Sequence, residues 1–168
     1  MTADTDDADL HAWLDISTDN CSIQRTLAVI GEKWTLLLIR DASNGVHRFD
    51  DFRRHVGLSE AVLSDRLKTL LAHGIFETRE YQAEGQRRRR EYRLSKKGWE
   101  LYPVLIGLLQ WGDKYFPDPD GPVRVVEHKA CGHPVRAAVI CTHDGAEVTP
   151  WDARAVNGPG AKRLVAAG

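Results

Sequence analysis

The chain has no apolar run long enough to cross a bilayer. Its longest, Leu36 to Ile39 and Val104 to Leu109, fall far short of the roughly twenty residues that a helical span needs. Its Asp-rich beginning lacks the basic region of a secretory signal. Three cysteines, an odd number scattered along 168 residues, cannot make a disulfide framework, so a reducing cytoplasm is the expected compartment. There is also no glycine-rich phosphate loop, no nucleophile elbow and no HExxH, and no HxE accompanies the His and Cys residues as in a zinc deaminase. These gaps argue against an enzyme. What remains is globular in composition, 42% apolar and 28% charged, with room for one ordinary domain and an appendage.

The net charge of −1 conceals an uneven distribution. Residues 1–20 hold six acids and no Lys or Arg, and read as an acidic flexible arm with at most a helical turn near Leu10 to Leu14. Residues 21–116 hold seventeen Lys and Arg against twelve acids, and residues 117–168 hold six of each. A near-zero sum therefore leaves room for a polyanionic partner, because binding answers to the local patch.

Periodicity divides the chain further. Leu27, Ile30, Trp34, Leu37 and Leu38 recur at helical spacing, with Gly31 expected to split the stretch into two helices. A short helix is expected over Phe49 to His55. Another is expected from Ser59, its N-cap, to His73, with Leu63, Leu67, Leu70 and Leu71 on one face and Gly74 at its end. Ile75 to Tyr81 and Arg90 to Leu94 read as two strands around a polar, arginine-rich tip. Ser95 caps an expected long last helix, Lys96 to about Phe116. Three prolines and a glycine then mark residues 117–122 as a linker, and residues 123–168 read as a β-ribbon-like tail, frayed from Asn157 onward.

Two short helices joined by a glycine turn, followed by a basic hairpin, give the order of a winged helix-turn-helix. The helix from Ser59 presents Ala61, Ser64, Asp65, Arg66 and Lys68 away from its leucines, small and polar enough to approach base edges in a major groove. Arg87, Arg88, Arg89, Arg90, Arg93, Lys96 and Lys97 crowd seven positive charges into eleven residues of the hairpin, suited to a groove or a phosphate backbone. The runs Cys21 to Leu27, Ile30 to Leu37, Arg48 to Arg54, Leu63 to Leu70 and Tyr92 to Gly98 resemble, in order and spacing, the motifs of the HxlR family within the MarR-like winged-helix regulators. The resemblance covers Cys21 to about Phe116. It implies a DNA-binding transcriptional regulator, a repressor or an activator, with flanking helices that build a homodimer. The four-arginine wing is more basic than the family's common pattern.

The expected architecture is thus mainly α with a small β wing (α+β), dimeric, and double-stranded DNA with an inverted-repeat operator is the expected partner. The dimer interface is expected along Leu101, Leu105, Leu108, Trp111 and Tyr115, a stripe that a lone helix cannot hide; the alternative is that the C-terminal ribbon folds back over it and leaves a monomer. Cys21 sits where the resemblance places a redox-sensing cysteine in several members, with Arg25 one turn on. A packing or capping role is the alternative. No cofactor is required by this reading. The tail does offer His128, Cys131, Cys141, His143 and Asp144 as ligands for a structural zinc, with a metal-free ribbon as the alternative. Some similar proteins carry a second CxxC there; this chain has Cys141-Thr142-His143-Asp144, which leaves the fourth ligand to His143 or Asp144. A small-molecule or redox effector completes the expected partners.

Overall fold

The computed structural model describes residues 13–82 and 89–164. One compact unit spans residues 29–137, and the described residues before and after it form a second.

Helix α1, Ser22–Ile30, ends at the expected Gly31 break, and α2, Lys33–Ser43, follows. Leu38, Ile39 and Ala42 of α2 are buried with Ile30 in the core of the larger unit. Asn44 stops α2: its backbone N–H reaches the Arg40 and Asp41 carbonyls, and its side-chain amide donates to the Arg40 carbonyl at 2.8 Å. Helix α3, Phe49–Val56, puts Phe52 fully inside and ends at Gly57. That residue has φ 73°, and its N–H closes on the Arg53 carbonyl. Only a residue without Cβ adopts this left-handed stop freely, so the turn into α4 is set by one glycine. Helix α4, Glu60–Ala72, starts where expected, with the Ser59 hydroxyl accepting from the Val62 N–H at 3.4 Å.

Strands β1, Phe76–Tyr81, and β2, Arg89–Leu94, pair antiparallel from Phe76↔Leu94 out to Tyr81↔Arg89. The Phe76 ring meets Phe52 at 6.2 Å between centroids, which seats the wing's root in the core. The chain just before α3 adds a short third edge: Tyr92 N–H donates to the His47 carbonyl at 2.7 Å, and Arg48 bridges to Glu91.

Three expectations are corrected. The last helix is not continuous but splits into α5, Lys96–Trp99, and α6, Tyr102–Tyr115. Pro103 has no N–H to donate and fits only the first turn of a helix, so the chain restarts there. The tail holds no strands among the described residues. Its pairings are short: the single bridges Glu127↔Pro134 and Ile140↔Glu147, and one more to the N-terminal segment. Backbone hydrogen bonds flank the first two: His128 N–H to the His133 carbonyl and Val135 N–H to that of Val126, then Cys141 N–H to the Ala146 carbonyl and Val148 N–H to that of Val139. Tight turns at Gly132 (φ 70°) and Gly145 (φ 76°) reverse the chain within each of these two short pairings. The proline stretch is not a boundary either. Beyond it the chain returns to α6, where the Gln110 side chain donates to the Val135 carbonyl at 2.7 Å and accepts from the Ala137 N–H at 2.8 Å.

In the smaller unit, Ile16 bridges to Arg163, Ser17 N–H donates to the Lys162 carbonyl and Leu164 N–H to the Asp15 carbonyl, both at 2.7 Å. Residues expected to be a free arm and a frayed end are thus paired with each other. The arm's first twelve residues lie outside the described residues.

Candidate nucleic-acid interface

Helix α4 buries Leu63, Leu67 and Leu70 and turns a different face outward. On it Ser59, Ala61, Asp65 and Lys68 are exposed, and Ser64 and Arg66 half-exposed. Arg66 pairs with its neighbour Asp65 at 2.8 Å, so part of the helix's charge is already spent along its own surface. Val62 also faces solvent, 37% exposed. Sequence alone does not single it out, because an apolar residue in an amphipathic helix is normally assigned inward. Beside Ala61 it makes an apolar spot of the kind that meets a thymine methyl.

The far end of α4 is locked to the wing by the Ser95-Lys96-Lys97-Gly98 run. The Ser95 hydroxyl accepts from the Gly98 N–H at 3.1 Å and donates to the Gly74 carbonyl at 2.6 Å. The Lys97 ammonium donates to the His73 carbonyl at 2.9 Å, meeting the negative end of the α4 dipole. One short motif thereby fixes the outer face of α4 against the base of the hairpin. Sequence proximity groups Lys97 with the wing's free charges; its partner is instead the end of α4.

On the hairpin, Arg89 and Arg90 are exposed on β2, and Arg87 and Arg88 lie outside the described residues. The register sets opposite charges against each other: Glu77↔Arg93, Arg79↔Glu91 and Glu80↔Arg90. Arg93 is further tied to Glu91 at 2.8 Å. The wing's charge is therefore lower than the arginine run alone suggests, because β1 carries the compensating acids. The structure adds Arg48, which no sequence motif singles out as a contact. Its guanidinium lies 4.7 Å from the centre of the Tyr81 ring, beside a hollow of about 560 Å³ that Arg89 and Arg90 also line. His47, next to it, has its imidazole pushed below the ordinary pKa, first by burial and then by the Arg93 guanidinium, with Glu91 pulling the other way.

The remaining candidate residues are placed as follows. Leu101 and Leu105 are half-buried against the core of the larger unit. Leu108, Trp111 and Tyr115 stay 50%, 55% and 55% exposed, and Val104 joins them at 48%. Cys21 is half-buried at the head of α1, where its carbonyl accepts from the Arg25 N–H. In the tail, His128 Nδ1 lies 3.3 Å from Cys131 Sγ in the larger unit. Cys141, His143 and Asp144 belong to the smaller one. The Ala146 N–H, then the Cys141 thiol, hold the Asp144 carboxyl below the usual carboxylate range. Among the described residues no group of three or more His, Cys, Asp or Glu is placed to hold a metal ion.

Comparison with known proteins agrees with this geometry. The HxlR-like helix-turn-helix family pattern matches residues 29–120. An HTH-type transcriptional regulator of Mycobacterium tuberculosis, itself uncharacterised, is 39% identical over 145 residues, 86% of this chain and 90% of that one. An HTH-type regulator of Bacillus subtilis, YdeP, is 30% identical over 61% of this chain and 81% of its own. Among solved structures, PA1607, described as a transcription factor, superposes with a TM-score of 0.72 at 34% identity, covering 83% of this chain and 96% of its own. The redox regulator HypR in its oxidised form gives 0.51 at 32% identity, over 56% of this chain and 96% of its own. With a capped helix presented outward beside a basic wing, and with these relatives, the chain belongs to the HxlR-like helix-turn-helix family and is a transcriptional regulator with a DNA-binding winged helix.

Proposed function

We propose that this regulator binds double-stranded DNA sequence-specifically as a twofold homodimer in the cytoplasm. In this reading α4 reads bases through Ser59, Ala61, Ser64, Asp65, Arg66 and Lys68, while Arg87, Arg88, Arg89 and Arg90 of the wing hold the phosphate backbone. The observation that carries the reading is the outer face of α4: small and polar, capped at Ser59, and fixed to the wing through Ser95. The stripe Leu108, Trp111 and Tyr115 supports self-association, since about half of each side chain stays exposed among the described residues. Two α4 helices about one DNA turn apart would then ask for an inverted repeat with half-sites about 10 bp centre to centre.

Cys21 extends the proposal to redox control. It is a free thiol at the head of a helix, and HypR, a redox regulator by name, is among the similar structures. The test is to select bound fragments from genomic DNA, then repeat the gel shift on a selected site. Lys68→Ala should change the selected sequence, and a thiol oxidant should change affinity for the native chain but not for Cys21→Ser. An unaltered site would remove α4 from base reading, and equal responses to oxidant would remove Cys21 from sensing.

A further inference from the structure

The larger unit carries a cavity of about 460 Å³, open to solvent on one side, between α2, α6 and the tail segment that returns beyond the prolines. Its walls are apolar, with Leu37 from α2, Leu105, Ile106 and Leu109 from α6, and Val126 from the tail. It adjoins a second hollow of about 620 Å³, and Arg40, Asn44, Leu109 and Arg124 line both. Neither hollow touches the outer face of α4 or the wing, so DNA binding leaves them unused.

We propose that this cavity binds an amphipathic monoanion, a carboxylate with an extended apolar body, and that occupancy alters DNA binding. The polar groups decide the ligand's charge. Arg40 is already engaged, because its guanidinium holds the buried Asp41 carboxylate at 2.7 Å. Arg124 makes no ion pair or side-chain hydrogen bond among the described residues, so its cation is available at the edge where the two hollows meet. The larger hollow also carries Asp113 and Asp118, which would repel an anion. The apolar one carries a single acid, Glu127. An anionic head therefore sits at Arg124, and the apolar body runs into the smaller hollow, whose volume suits a small organic ligand.

The same residues supply a route to DNA. The Asp41 carboxylate accepts from Arg40 and also meets His55 Nδ1 of α3 at 2.6 Å. Helix α3 leads through the Gly57 turn directly into α4. A ligand pressing on Arg40 alters the Arg40–Asp41–His55 link and, with it, how α3 is held on α2. Differential affinity for the two arrangements is what would shift DNA binding.

This inference rests on the DNA-binding reading, and the test separates the two. The intact protein is titrated with decanoate, below its micellar range, and with decanol as the neutral control, by calorimetry. DNA affinity is measured in parallel by gel shift, with and without ligand. Decanoate should bind saturably, one per chain, and more tightly than decanol. Arg124→Leu should weaken decanoate by roughly tenfold and leave decanol unchanged, as expected when one charge-assisted hydrogen bond is removed. Leu109→Trp should abolish binding of both. Should that variant fail to fold, Val126→Trp fills the cavity from the tail, outside the winged core. Bound decanoate should shift DNA affinity in the native chain and not in the filled variant. No saturable binding, equal binding of the alcohol, or binding indifferent to the filled cavity would overturn the site. Binding without any change in DNA affinity would overturn the coupling. DNA binding without ligand is a separate readout, and its loss would fall on the DNA-binding reading alone.

Discussion

Gly98 shows how far a single side chain can be constrained. A Cβ added there would overlap the Ile75 carbonyl oxygen and press on Leu94 Cδ2 at 3.0 Å, and the oxygen belongs to backbone that cannot swing away. Gly98→Ala should therefore destabilise the fold by roughly 2–3 kcal/mol, as overpacking against fixed neighbours does, seen as a lower denaturation midpoint. Wild-type stability in Gly98→Ala would mean that the wing root yields. His47 offers a pH-dependent counterpart. Burial, then Arg93, disfavours its imidazolium in the fold, so the folded pKa lies below the ordinary 6.5. The unfolded chain then binds the proton first as pH falls. Stability is full above that ordinary value and declines as pH drops through the window below it, toward the folded value. His47→Gln should lose less thermal stability than the native chain as pH falls from above the ordinary histidine value to below it. An equal loss would leave His47 out of the acid response.

At the scale of elements, the proposed reading divides binding between the wing and α4. Arg89 and Arg90 are exposed on β2, yet Arg90 stands opposite Glu80. Changing both to Ala should flatten the slope of log affinity against log salt by at most about 2, because each phosphate no longer neutralised takes roughly 0.9 from the slope. The weakening should be uniform across sequences. A slope that does not move would show that the β2 arginines release no counterions. Helix α4 was legible in the sequence because its leucine spacing, its serine cap and its terminal glycine all agree. The break between α5 and α6 was less so. Pro103 is visible in the sequence, but whether it interrupts a helix or starts one depends on where Leu101 and Leu105 find a core to pack against.

For the whole molecule, the exposed stripe of α6 sets the question of what covers it. Trp111 and Tyr115 meet as tilted rings, 5.3 Å between centroids, and remain more than half exposed. If a second copy covers them, Trp111→Glu would bury an unpaired charge in the seam, a cost of at least roughly 1–3 kcal/mol. Light scattering at micromolar concentration should then give a dimeric mass for the native chain and a lower one for the variant, with weaker DNA binding although no DNA-facing residue has changed. A monomeric native chain would refute the dimer.

The sequence by itself determined the winged helix-turn-helix, because helical spacing, caps, glycine stops and the basic hairpin are local signals within a few residues of one another. It also pointed to the outer face of α4 and to the arginines beyond it. Only the tertiary structure decided how much of the wing's charge is free, since the acids opposing it lie on the other strand and the pairing depends on register. The same holds for the tail. Pro117 and its neighbours end a helix wherever they stand, but Gln110, more than twenty residues upstream of its partners Val135 and Ala137, ties the returning chain down so that it lines a cavity. Contacts between residues so far apart in the chain leave no periodic trace in the sequence.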